Sequence, residues 1–318
     1  MRREPNSVEP PSPAAPARLG DASARPRIGF TLVELLVVIG IIGLLIGITL
    51  PVLSKVRQQG TTARCANTLR QFGTAWQMYA AANKSLSVPG RLPSYKGPAS
   101  IYDLGEGEEY RPRWYELLGA QFKRYATKNP KKQEDDSWKI EDEFFLCPAV
   151  PDWNNSRNYP YGYNYQFLGN PRYKPDGSFI NYPVKSGRIK AAQTVMAADC
   201  IGTAAGKPKA KRTAYYADGT KDIYGRGNKA WALDPPRLTA NSDMADPQRR
   251  APENRSGPDP RHSKKVNVTF CDGHVELMSL ADMGYVVNAD ESVAAMDSRA
   301  SNRLFSGSGR DDDPPSVK

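Results

Sequence analysis

Apolar residues are gathered in one place along this chain. Residues 35–50 form an almost unbroken apolar run, interrupted only by glycines and Thr49. Counted from Phe30, the segment is about 21 residues, or about 31 Å of helix, close to the hydrocarbon thickness of a bilayer. It reads as a single membrane span. One carboxylate, Glu34, lies near its start. A charge at mid-bilayer costs about 2.5–3.5 kcal/mol even on a lenient scale, so an intramembrane acid points to a function and a partner.

Past Pro51 the pattern changes without breaking. In residues 54–83, apolar or small side chains recur every three or four positions (Val56, Ala63, Ala66, Leu69, Phe72, Ala75, Trp76, Tyr79). This spacing predicts an amphipathic helix that continues the span and offers one face to a head. Pro51 is expected to kink it and Gly60 to loosen it. Farther on, residues 114–125 suggest a short helix, and residues 193–198, 213–216, 266–270 and 274–278 suggest strands. The last two alternate around Cys271-Asp272-Gly273, a hairpin signal. The fold class is α+β: a long N-terminal helix, half membrane and half amphipathic, packed on an antiparallel head. The expected segments are a disordered leader (1–29), the helix (30–84), the head (85–296) and a disordered tail (297–318).

Composition refines this picture. The chain has 318 residues and a formal net charge of +10, and its mean hydropathy of −0.60 describes a polar body outside the one span. Basic residues are spread along the chain; the clusters at residues 128–132 and 207–212 lack interleaved aromatics and read as solvated loops, so nucleic acid is not an expected partner. The flanks of the span are nearly balanced in charge, which leaves orientation to other arguments. A secretory signal would carry a small-x-small cleavage site after its apolar core. Residues 49–53 offer none, so any processing falls before the run.

Gly29-Phe30-Thr31-Leu32-Val33-Glu34 closely resembles the processing site of type IV prepilins and type II secretion pseudopilins. The resemblance implies a pilin-like fold and cleavage between Gly29 and Phe30 by a prepilin peptidase. It also implies methylation of the new N-terminal Phe30, with Glu34 neutralising the ammonium of a neighbouring subunit's Phe30. Pairing of opposite charges is what makes a buried charge tolerable. Pro51 falls where helices of that family commonly kink. Ile28 departs from the pattern, since a basic residue is common before the glycine, and the leader is long. His262, then nine residues, then Asp272-Gly273, resembles the C-terminal H-x9-DG element of many prepilin-like proteins, notably from planctomycete-type bacteria. Parts of 65–73 and 146–148 resemble the same group.

The four cysteines, Cys65, Cys147, Cys200 and Cys271, are far apart with no CxxC. An even number outside the cytoplasm favours two disulfides, for which three connectivities exist. Cys200 and Cys271 each follow a strand candidate, so Cys200–Cys271 with Cys65–Cys147 is the expected pairing. Both histidines lie in or beside the last hairpin, inviting a metal reading with Asp272 and Cys271. The spacing is no recognised zinc pattern, and a structural hairpin is preferred, with Asp272-Gly273 turning the chain and no metal expected. Calcium on loop carboxylates such as Asp218 or Asp272 lacks an EF-hand spacing. The tyrosines from Tyr159 to Tyr165 are expected to pack the head.

No phosphate loop, GxSxG or telling carboxylate pair is present, so neither an enzyme nor a cofactor is expected. The implied role is a structural pilin-like subunit of a type II secretion pseudopilus or type IV pilus-like filament. Its partners would be the prepilin peptidase, other pilin or pseudopilin subunits and the membrane. The implied location is the bacterial inner membrane, single-pass, with the head outside the cytoplasm. The alternative is a minor pilin-like binding module for DNA, glycan or protein.

Overall fold

The computed structural model describes residues 31–90, 95–96, 109–110, 112–127, 139–169, 171–173, 179–181, 183–215, 222, 224–240, 242, 254–294 and 296–315. The leader with Gly29 and Phe30, the basic cluster at 128–132, and Asp218 lie outside the described residues. The chain divides into two compact units, Met1–Leu53 and Ser54–Lys318.

Helix α1 runs from Leu32 to Ala82. Its start is fixed by a reciprocal cap. Thr31 N–H and Oγ1 both donate to Glu34 Oε2 at 2.8 Å, and Glu34 N–H donates to Thr31 Oγ1 at 3.2 Å. This is a capping box, which satisfies donors that the first helical turn otherwise leaves open. The helix continues through Pro51, whose missing N–H removes one intrahelical bond. It ends after Ala82, where Lys84 and Ser85 adopt φ of 54° and 63° and Ser85 N–H closes the last turn on Ala80 O at 2.8 Å.

In the first unit the apolar side chains of α1 are exposed around the whole circumference. In the second unit the helix buries a stripe of Cys65, Leu69, Phe72, Trp76 and Ala80. Steps of four, three, four and four keep these on one face. Two sequence expectations shift here: Ala63 and Val56 are exposed, whereas Cys65 and Thr68 are buried.

The stripe packs on an antiparallel sheet. Two-residue strands β1 (Tyr95–Lys96) and β2 (Glu109–Tyr110) pair with each other, as do β4 (Pro171–Tyr173) and β5 (Phe179–Asn181). The main sheet contains β3 (Tyr161–Tyr163), β6 (Val195–Gly202), β7 (Gly257–Pro258), β8 (Val266–Phe270) and β9 (Val275–Met278) in the order β3-β6-β8-β9, with β7 also pairing β6. Every residue of β6 is buried, as a central strand covered on both faces requires.

Aromatic rings fill the space between helix and sheet. Phe72 meets the rings of Trp114, Phe144 and Tyr161 edge-on, and Tyr115 stacks on Tyr159 with centroids 3.8 Å apart. Trp76 Nε1 donates to Tyr163 Oη at 3.2 Å, which donates in turn to Val88 O at 2.9 Å. Tyr159, Tyr161, Tyr163 and Tyr165 are all buried.

Three local expectations are corrected. Helix α2 covers only Trp114–Gly119, followed by a 3-10 turn over Ala120–Phe122; Lys123 at φ 55° then turns the chain out of the helix. Among the described residues of 213–216 there is only one isolated bridge, Ala214 to Arg226. The tail is ordered through 315: Ala300, Asn302 and Phe305 are buried. Val195 N–H donates to Leu304 O at 2.7 Å, and Asn164 Nδ2 donates to Phe305 O at 2.9 Å. Its Ser, Gly and Asp content reflects turns rather than disorder. The 207–212 cluster also has partners: Lys209 pairs Glu291 at 2.9 Å, and Arg212 Nε donates to Lys207 O at 3.0 Å.

Candidate functional site

Residues singled out by the sequence fall in three places. The first is the start of α1. Glu34 is engaged by Thr31 within its own chain. Pro51 lies farther along the same helix.

The second is the H-x9-DG element, which is spread along the helix rather than gathered in one site. Ser263 and Lys264, with φ of 53° and 64°, form a primed two-residue turn, and His262 and Lys265 exchange backbone bonds of 3.1 and 3.0 Å across it. The His262 ring then meets α1, where its Nδ1 is 3.1 Å from Thr62 Oγ1. At the other end of β8, Gly273 has φ 89° and passes so close to α1 that a β-carbon on Gly73 would lie 2.7 Å from Gly273 Cα. Thr62 and Gly73 are about three helical turns apart and share a face. Asn267 Nδ2 also donates to Thr62 O at 3.5 Å, and one turn past Gly73 the Gln77 Nε2 donates to Cys271 O at 3.4 Å. The element thus seats the β8–β9 hairpin along α1. Asp272 stays at the turn, where its Oδ1 accepts from His274 N–H at 3.1 Å and faces His274 Nδ1 at 2.5 Å.

The third is a buried cluster that the sequence did not reveal as a set. Cys65, Cys147, Asp199 and His262 each bring one donor atom to within 4.8 Å of the other three, and all four are buried. Asp199 sits on β6, its Oδ2 accepting from Asn267 N–H at 2.8 Å and lying 3.4 Å from His262 Nε2. Its Oδ1 is 3.3 Å from Arg261 Nη2. Arg261 is itself held by Pro160 O, Asp259 and the face of Trp153. A lone acid in the apolar stretch Val195–Gly202 was the available signal.

The electrostatics favour charge separation. Burial acts to lower the His262 pKa, but its contacts with Asp199 and Cys147 raise it to about 9. Cys147 is held below the usual thiol range by the hydrogen bond from Cys65, against the effect of burial and with help from Arg261 and His262. The same hydrogen bond, with burial, pushes Cys65 upward. Burial raises Asp259, with Arg261 opposing.

All four cysteines are unbridged, which corrects the expected disulfides. For Cys200–Cys271 the reason is register. Cys271 N–H bonds Thr194 O while Cys200 pairs with Pro258, which sets the two roughly 20 Å apart along the sheet at strand rise. Cys200 Sγ instead contacts Gly257 O at 3.0 Å and Ser256 Oγ at 3.3 Å. Cys65 and Cys147 are neighbours, as thiols. The metal reading built on His262, Cys271 and Asp272 does not match the geometry, because His262 and the β8–β9 turn meet α1 at different levels.

Residues 25–50 match the family described as Prokaryotic N-terminal methylation motif. No curated protein and no solved structure matches the chain. The apolar helix and the motif are consistent with membrane anchoring, and the motif implies processing by prepilin peptidase and pilin assembly. Together with a long N-terminal helix packed on an antiparallel sheet, they support a type IV pilin-like protein.

Proposed function

We propose that this chain is a non-enzymatic structural subunit, stored in the bacterial inner membrane with its head outside the cytoplasm. Cleavage between Gly29 and Phe30 and methylation of Phe30 would release it for assembly into a type II secretion pseudopilus or type IV pilus-like filament. The observation that carries this reading is the all-round exposure of the apolar side chains of residues 32–53, headed by Glu34. Such a surface is stable only in lipid or against other helices, and apolar burial contributes roughly 25 cal/mol per Å² when it is covered. Glu34 would leave the Thr31 cap for the α-amino group of a neighbouring Phe30, setting the axial register. N-terminal mass analysis of membrane-fraction protein tests the reading. A methylated Phe30 terminus is expected; an intact chain through Ile28-Gly29-Phe30 would overturn it.

A further inference from the structure

Four donor atoms from four separate parts of the chain converge where α1 lies on the sheet: Cys65 from α1, Cys147 from the loop after Phe145, Asp199 from β6 and His262 from the turn before β8. We propose that they form a structural zinc site of Cys2HisAsp type that fastens α1 to the head. The donor set is the first argument. Two thiolates, an imidazole and a carboxylate suit a four-coordinate zinc with no open position. Zinc bonds of about 2.0–2.3 Å place the donors of a tetrahedron about 3.3–3.8 Å apart, and the four atoms here already lie within 4.8 Å.

The second argument is the orientation of the ligands. Thr62 Oγ1 gives its proton to Gln58 O at 2.9 Å, so it accepts from His262 Nδ1–H at 3.1 Å. The other ring nitrogen, Nε2, is buried without an aligned hydrogen bond and faces the cluster in a side chain only 1% exposed. A metal-bound histidine is held in this way, one nitrogen on the ion and the other on a fixed partner. Asp199 is oriented in the same manner by the Asn267 N–H and by Arg261.

Charge is the third argument. A divalent ion with two thiolates and one carboxylate carries one net negative charge, which the buried Arg261 guanidinium offsets. Coordination needs both sulfurs as thiolates and a neutral Nε2, so binding releases the remaining protons to solvent. The site lies wholly within residues 54–318 and is independent of N-terminal processing.

The test uses the full chain purified in detergent without chelators. Elemental analysis should return one zinc per chain, and Cys65 and Cys147 should resist alkylation until a chelator is added. Cobalt in place of zinc should give thiolate-to-cobalt charge transfer and the intense visible bands of a tetrahedral ion. Thr62→Val, which removes the hydroxyl on the ring's far nitrogen and its bond to Gln58 O but no ligand atom, should weaken zinc binding by about 10–100-fold. His262→Gln and Cys147→Ser should lose the ion, whereas Cys200→Ser should keep it. A Cys65–Cys147 disulfide mapped in unreduced protein would overturn the proposal. So would fully reactive thiols and no tetrahedral cobalt spectrum in the unmodified chain, a readout that does not depend on any variant folding.

Discussion

Gly73 on α1 and Gly273 in the β8–β9 turn touch backbone to backbone, with no room for a side chain on Gly73. The added β-carbon would lie 2.7 Å from Gly273 Cα and 2.9 Å from Thr269 Oγ1. Gly73→Ala should therefore cost about 1–3 kcal/mol through overpacking against backbone, read as a lower midpoint in denaturant. Gly60→Ala, where a β-carbon meets nothing within 4 Å, should be neutral or stabilising through helix propensity. Equal effects at both positions would contradict the close approach.

Glu34→Ala should abolish filament assembly while leaving head stability unchanged, because among the described residues the Glu34 side chain bonds Thr31 alone. Electron microscopy of sheared surface fractions, paired with thermal melting of the head, separates the two effects. Filaments of normal abundance would remove Glu34 from the assembly mechanism.

Tyr163→Phe removes one hydroxyl that serves two groups, Trp76 Nε1 and Val88 O. Both are then left buried with no replacement, and unsatisfied groups of this kind cost about 1–3 kcal/mol. Denaturant unfolding should show that loss with an unchanged m-value.

The ordered tail makes a pH prediction. Arg237 donates to Asp311 Oδ2 at 2.7 Å and to Asp313 Oδ1 at 2.9 Å. Burial acts to raise the Asp311 pKa, but Arg237 and the Asn302 N–H bring it below the ordinary carboxyl value. A depressed folded-state pKa means the stabilisation is fully present above the unfolded carboxyl's pKa, about 3.9, and is lost as pH falls through the lower folded value. These pairs are partly exposed, so the effect is at most about 1 kcal/mol. Protection factors of amides near Asn302, corrected for the intrinsic pH dependence of exchange, should fall in acid, and Arg237→Ala should produce the same loosening at neutral pH.

Much of the framework was legible because its signals are periodic. The apolar run, the continuation of α1 and the alternation in β8 and β9 each follow from spacing alone. The stripe on α1 was less readable, since Cys65 and Thr68 carry packing that a hydrophobicity pattern does not weigh, while Ala63 matches the pattern and faces solvent. The cluster around Asp199 was hidden for a different reason. Its members are scattered from α1 to the turn before β8, and only the antiparallel register brings them together. The tail misled because Phe305 and Asn302 are two anchoring residues in a stretch of turn formers, and composition averages them away.

The order of bonding along the chain has a consequence for folding. Thr62 meets His262 across a sequence separation of 200 residues, and Asn164 meets Phe305 across 141. Folding slows as contacts grow more distant in sequence. The N-terminal part of the head supplies one wall of its core, and the stretch around Phe305 supplies a cap on β6. A head lacking the stretch around residues 304–305 would leave Val195 N–H and the Asn164 amide without these partners, so the core closes only when segments from both ends of the head are in hand.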